Sequence, residues 1–169
     1  LPHPVTLPDE LLLKDCETRT GRRRGPGGQH RNVTESAVYL VHLPTGIESQ
    51  ASERREQLQN RRVALKRLRL ALAVQHREMP TEGAPPSPLW QSRCPKGRIA
   101  INPDHHDFTV LLAEVLDFVV DRRGHLEGAA SHFGCSVSQL MKFLGLNHSA
   151  WELFNRTRLA TGLPELQRR

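Results

Sequence analysis

Cysteine is scarce in this 169-residue chain: Cys16, Cys94 and Cys135 make an odd count at wide spacing, with no Cys-x-x-Cys pair. That excludes a disulfide framework and a cysteine-built zinc site, and it fits a reducing interior such as the cytoplasm. Long apolar runs are missing too. None approaches the roughly 20 residues of a membrane span, and no signal-peptide pattern opens the chain at Leu1, so no membrane partner is expected. Histidines are numerous, but His105-His106-Asp107 lacks further ligands converging at helical spacing and reads as a solvated loop. No metal or other cofactor is expected.

Positive charge is abundant and unevenly placed. The net charge is +6, and residues 1–106 hold 17 of the 24 Lys and Arg against 11 of the 18 Asp and Glu. The remaining 7 of each sign fall in residues 107–169, so the whole excess belongs to the first part. A basic excess of this kind reads as a surface facing a polyanion, and RNA is the natural candidate.

The most informative stretch is Gly25-Pro26-Gly27-Gly28-Gln29-His30-Arg31-Asn32, directly behind Arg22-Arg23-Arg24. Glycine costs conformational entropy inside a helix or strand and proline removes a donor, so the stretch is a loop. Two glycines ahead of Gln29 allow a main-chain amide and a side-chain amide to be presented together on a thin tip. A phosphate-cradling loop of the Walker type closes on Gly-Lys-Ser/Thr, and Gln29-His30-Arg31 supplies neither the lysine nor the hydroxyl.

Around this loop the chain alternates in period. Leu11-Leu12-Leu13 opens a short helical turn, Lys14 to Thr20 reads as a strand, and Ala37 to His42 is rich in strand formers. Pro44-Thr45-Gly46 makes a turn, so Ile47 to Gln50 returns as a hairpin partner. From Ser52, taken as N-cap, to about Arg77 the spacing of Leu58, Leu65, Leu68 and Leu72 predicts an amphipathic helix of roughly 36 Å whose leucines pack on the sheet. Its arginines divide between solvated charge and RNA contact. Residues 78–107 carry six of the twelve prolines and read as an extended linker, with Trp90 docking on some surface. Beyond it, helices are predicted over 108–121, 125–133, 136–144 and 149–160, the middle pair resembling a helix-turn-helix hinged at Gly134-Cys135. Lys142 is the one cation of the second helix of that pair, so packing is favoured over DNA reading. The expected class is α+β: a small sheet with a long helix over residues 1–77, a linker over 78–107 and a helical domain over 108–169.

Gly27-Gly28-Gln29, extended through His30, Asn32, Thr34, Glu35, Ser36, Ala37, Val38 and then His42-Leu43-Pro44-Thr45-Gly46-Ile47, Glu53-Arg54 and Asn60, strongly resembles the catalytic domain of class I peptide chain release factors. The resemblance covers roughly residues 10–77. It implies hydrolysis of the ester joining a nascent peptide to tRNA, in the large ribosomal subunit. By that likeness the Gln29 backbone amide stabilises the developing charge on the leaving oxygen and its side chain admits water, while Gly27 and Gly28 permit the pose. A preorganised donor of this kind is worth about 3–4 kcal/mol in the transition state. Arg22, Arg23, Arg24, His30, Arg31, Arg54 and Arg55 are then the candidate RNA contacts. Val33 stands where the family commonly has lysine, and codon-recognition domains are not found in these 169 residues. The expectation is a ribosome-dependent peptidyl-tRNA hydrolase that rescues stalled ribosomes without reading a codon, acting as a monomer on large-subunit rRNA, with a protein partner met through residues 108–169. A non-catalytic RNA-binding module, or a nucleic-acid regulator working through the C-terminal helices, is the alternative.

Overall fold

Val38, Leu40 and His42 alternate with Tyr39 and Val41, and in the computed structural model, which describes residues 2–22 and 35–168, the first three are buried while Tyr39 is exposed. Period-2 burial of this kind is what a half-covered strand requires. Three antiparallel strands form one sheet in the order β1 (Cys16–Gly21), β2 (Ala37–His42), β3 (Ile47–Ala51). The β1–β2 register runs from Cys16↔His42 to Gly21↔Ala37, and the β2–β3 register from His42↔Ile47 to Val38↔Ala51. The β2–β3 turn closes with Gly46 N donating to His42 O at 2.8 Å, at a φ of +70° that only glycine takes without strain. The expected pair of strands on either side of Pro44-Thr45-Gly46 is therefore present.

Two helices cover this sheet from the same compact unit, Leu1–His76. A 3-10 turn (Pro4–Thr6) and α1 (Asp9–Lys14) precede the sheet, and α2 (Gln57–Gln75) lies along β2 and β3. Ala64, Leu65, Leu68, Leu72 and Ala73 of α2 are buried with Val5, Leu12, Val38, Leu40 and Ala51. Ser49 on β3 fastens the pair by donating from Oγ to Ala64 O at 2.7 Å. Arg69 ties the N-terminal turn to the helix, its guanidinium donating to Val5 O (2.9 Å), Leu7 O (2.7 Å) and the Asp9 carboxylate (2.6 Å).

The long helix departs from expectation at its start. Ser52 is no N-cap: its backbone N donates to Glu53 Oε2 at 2.8 Å, and the helix begins five residues later without a side-chain cap. Leu58, expected to pack on the sheet, is 58% exposed because it sits in the first turn, where the fully buried Asn60 takes the inward position.

Residues Arg77–Arg169 make the second compact unit, built of helices. They are α3 (Pro88–Arg93), α4 (Asp107–Asp121), α5 (Leu126–Phe133), α6 (Val137–Leu144) and α7 (His148–Ala160), with a 3-10 turn at Pro95–Gly97. Leu111, Leu112, Val115, Leu116 and Val119 of α4 are buried, as the apolar run demands. The proline-rich stretch contributes a helix and a core side chain. Trp90 of α3 is buried, donates from Nε1 to Phe133 O at 2.8 Å, and lies 4.6 Å from the Phe133 ring. Ser87 caps α3 from its Oγ and itself hydrogen-bonds Glu114 of α4 at 2.6 Å. Proline density masked this packing: Pro88 stands at the first helical position, where the missing N–H costs nothing. Together the two units are an α+β fold.

Candidate functional site at the base of the glycine loop

Gly21 and Ala37 face each other as the last pair of the β1–β2 ladder, so the chain leaves and rejoins the sheet at points about 5 Å apart. Gly27, Gly28, Gln29, Arg23, Arg24, His30 and Arg31 lie outside the described residues. Arg22, which follows β1 directly, is exposed.

The loop exit is fixed by α2. Asn60 Nδ2 donates to Ser36 O at 2.6 Å and to Arg54 O at 3.0 Å, and Asn60 Oδ1 accepts from Arg54 N at 2.9 Å. Gln57 Nε2 donates to Glu35 O at 2.9 Å. A single buried amide therefore joins the loop exit, the β3–α2 connection and the first turn of α2. Asparagine suits this because one side chain offers both donor and acceptor in a plane. Asn60 and Gln57 were not singled out for this role from sequence; the signal was a polar residue at an inward helical position.

The same connection displays the basic residues. Arg54 and Arg55 are exposed, as are Arg61 and Arg62 on α2, whereas Arg69 is spent on the N-terminal turn. Arg67 pairs with Glu53 and donates to Gln50 O at 2.9 Å. The hydrogen bond from Arg67, with backbone donors from Glu53 and Ser52, holds the Glu53 carboxyl down at about 2. Of the helix arginines weighed as RNA contacts, Arg67 and Arg69 thus have structural duties, and Arg54, Arg55, Arg61 and Arg62 present their side chains to solvent.

His105, His106 and Asp107 do bring ligand atoms within 4.8 Å of one another. The Asp107 carboxylate, however, accepts two bonds from Arg93, at 2.7 and 3.1 Å, and His105 Nδ1 accepts from Asp107 N at 3.1 Å. A guanidinium on the shared carboxylate opposes a second cation there. No helix among the described residues is long and apolar enough to cross a membrane.

The pattern that fixes the assignment is the Gly-Gly-Gln sequence between two paired strands, in a unit whose long helix carries exposed arginines. A family model for the RF-1 domain matches residues 9–88. The chain carries a class I release-factor domain. It is 47% identical over 81 residues to the mitochondrial peptide chain release factor 1-like protein of Mus musculus, covering 48% of this chain and 22% of that protein. Against the mitochondrial peptide chain release factor 1 of Bos taurus the identity is 44% over 75 residues, covering 44% of this chain and 17% of the relative. Against peptide chain release factor 2 of Variovorax paradoxus it is 55% over 63 residues, covering 37% and 17%. The chain thus spans about a fifth of the length of the curated relatives it matches. The release-factor domain accounts for the first unit and runs past His76 into the proline-rich stretch; the rest of the second unit lies outside it.

Proposed function

We propose that this chain hydrolyses the ester of peptidyl-tRNA on the large ribosomal subunit without reading a codon, in the manner of a ribosome-rescue factor. One observation carries the reading: the Gly27-Gly28-Gln29 loop stands in a release-factor domain whose two loop ends are held by a strand pair and by Asn60. Gln29 would place its backbone N–H against the leaving oxygen and its side-chain amide against the attacking water. Gly27 and Gly28 free the backbone for that pose. Arg22, Arg23, Arg24, His30, Arg31, Arg54 and Arg55 would meet rRNA phosphate, supported by the exposure of Arg22, Arg54 and Arg55. Codon independence is proposed from the pairing, within these residues, of the domain with the charge-balanced helices of residues 107–169. A monomer in the cytoplasm, contacting a protein through residues 108–169, completes the proposal.

The test is peptide release from ribosomes carrying a stop codon, a sense codon or an empty A site, and from isolated large subunits. Equal release across the codon arms, with loss of about 100-fold or more in Gln29→Ala and Gly28→Ala, is expected. Release confined to stop codons overturns codon independence. Undiminished release by Gln29→Ala overturns the mechanism.

A further inference from the structure

Cysteine plays no part in the proposed release chemistry, yet two of the three cysteines are neighbours. Cys94 closes α3, and Cys135 follows Gly134 at the end of α5. The two segments run side by side. Trp90 Nε1 donates to Phe133 O at 2.8 Å, Ile99 N donates to Gln139 Oε1 at 3.1 Å, and a Cβ added to Gly97 would stand 3.2 Å from Gly134 O and 3.9 Å from Cys135 Cα. Between these contacts the Cys94 and Cys135 thiols are close enough for each to influence the protonation of the other. Both are free and half-buried, so a small reagent reaches them while a protein surface need not. Cys16 differs: its thiol donates to Leu12 O at 3.2 Å in the first unit.

We propose that Cys94 and Cys135 form a reversible redox site, in which a low-molecular-weight disulfide such as oxidised glutathione converts the two thiols to an intramolecular disulfide within the second unit. The pair is asymmetric. Burial raises both thiols, and Cys135 goes further, to about 11, because the neighbouring Cys94 charge and the hydrogen bond it gives to Cys94 both favour its protonated form. Cys94 is therefore the thiol that ionises first and attacks.

The electrons balance in two exchanges. Cys94 thiolate attacks one sulfur of the oxidant, its disulfide breaks, and one glutathione thiolate leaves. Cys135 then loses its proton to solvent, attacks the Cys94 sulfur of the mixed disulfide and expels the second glutathione thiolate. Two protein thiols give up two electrons and two protons, and the oxidant is reduced to two thiols. The new bond ties the turn after α3 to the α5–α6 turn. It removes chain entropy from the unfolded state of that unit.

The reduced 169-residue chain, incubated with oxidised glutathione at mildly alkaline pH, unfolded in N-ethylmaleimide and digested, tests this. The expected products are a Cys94–Cys135 linked peptide and a single alkylated cysteine, Cys16, with all three alkylated after dithiothreitol. The unfolding midpoint of the second unit rises by at least about 5 °C in the oxidised form. Cys135→Ser stops at glutathione held on Cys94, and Cys94→Ser leaves Cys135 unmodified over the same interval. Three alkylated cysteines in the wild type, glutathione retained without cross-link, or disulfides only between two chains would each overturn the proposal. The wild-type digest decides by itself, so the result does not depend on either variant folding.

Discussion

Replacing Asn60 by alanine should uncouple Ser36, just ahead of β2, from the helix that holds it. The side chain is fully buried and makes three hydrogen bonds, to Ser36 O, Arg54 O and Arg54 N. Ser36 is 5% exposed, so its carbonyl has no ready water to replace the lost amide, a cost of about 1–3 kcal/mol. Arg54 is exposed, and its backbone groups regain solvent at little cost. With the small void left behind, the total is about 2–4 kcal/mol. The loss belongs to the first unit, whereas Trp90 and Trp151, the two tryptophans, lie in the second. Urea unfolding followed by far-UV circular dichroism should shift, with tryptophan emission as an internal reference. Peptide release should fall by about 10- to 100-fold even where the protein stays folded, because the loop exit is no longer aimed. Asn60→Asp sharpens the test. It keeps the acceptor for Arg54 N but sets a carboxylate against two carbonyls, so it should be at least as destabilising at pH 7 and recover partly on acidification. A loss below about 0.5 kcal/mol in Asn60→Ala, or full release activity, refutes the reasoning.

Trp90→Phe keeps the ring but orphans the buried Phe133 carbonyl, and should lower the stability of the second unit by about 1–3 kcal/mol in urea titration. Gly124→Ala combines a φ of +82° with a Cβ 2.6 Å from Arg158 Cγ, so a loss of at least about 1 kcal/mol is expected in the same assay. His42 is buried with Nδ1 2.8 Å from Thr45 Oγ1, and burial lowers its pKa despite Asp15. The unfolded chain then binds a proton near pH 6.5 that the folded chain refuses, so stability falls as pH drops below about 6.5 toward the folded value. His42→Gln should flatten that part of the urea-midpoint profile. Arg54→Ala with Arg55→Ala should weaken ribosome binding and reduce the slope of log affinity against log salt by about 1–2.

The strands and most helix ends were legible because period and punctuation agree there. Val38, Leu40 and His42 alternate, Gly46 supplies the positive φ, and Gly134 stops α5 in the left-handed region. The start of α2 was not, because its signal is tertiary. Ser52 looks like a cap, yet the connection from Glu53 to Glu56 is held open by a side chain from the turn that follows. Leu58 fits the leucine spacing but sits where the sheet no longer covers the helix. Proline density hid α3 for a similar reason: Pro88 is compatible with a helix start, and only the buried indole of Trp90 shows that the segment packs. The nearness of Cys94 and Cys135 is equally invisible in sequence, since it depends on how two turns meet.

The perturbed groups of the first unit also bear on where the chemistry can arise. Cys16 and His42 face each other across the β1–β2 ladder at the end opposite Gly21 and Ala37, five residue steps or about 17 Å away. Both stand at the end of the ladder opposite the point where the segment holding Gly27-Gly28-Gln29 leaves it. Nearer the loop base stands Glu53, following β3, whose Ala51 pairs with Val38. Its carboxyl, held at about 2 by Arg67 and backbone donors, is far too weak a base to take a proton from water near pH 7. What the described part of the domain supplies is therefore placement: a paired strand end, a buried asparagine and a helix, all converging on the loop's two ends. Chemistry carried by a main-chain amide needs that placement more than it needs a tuned side chain, since a fixed dipole acts only where it is aimed. Positioning residues such as Asn60 should then rank close to Gln29 in their effect on release, while acid–base substitutions elsewhere in the described domain should leave the release pH profile unmoved.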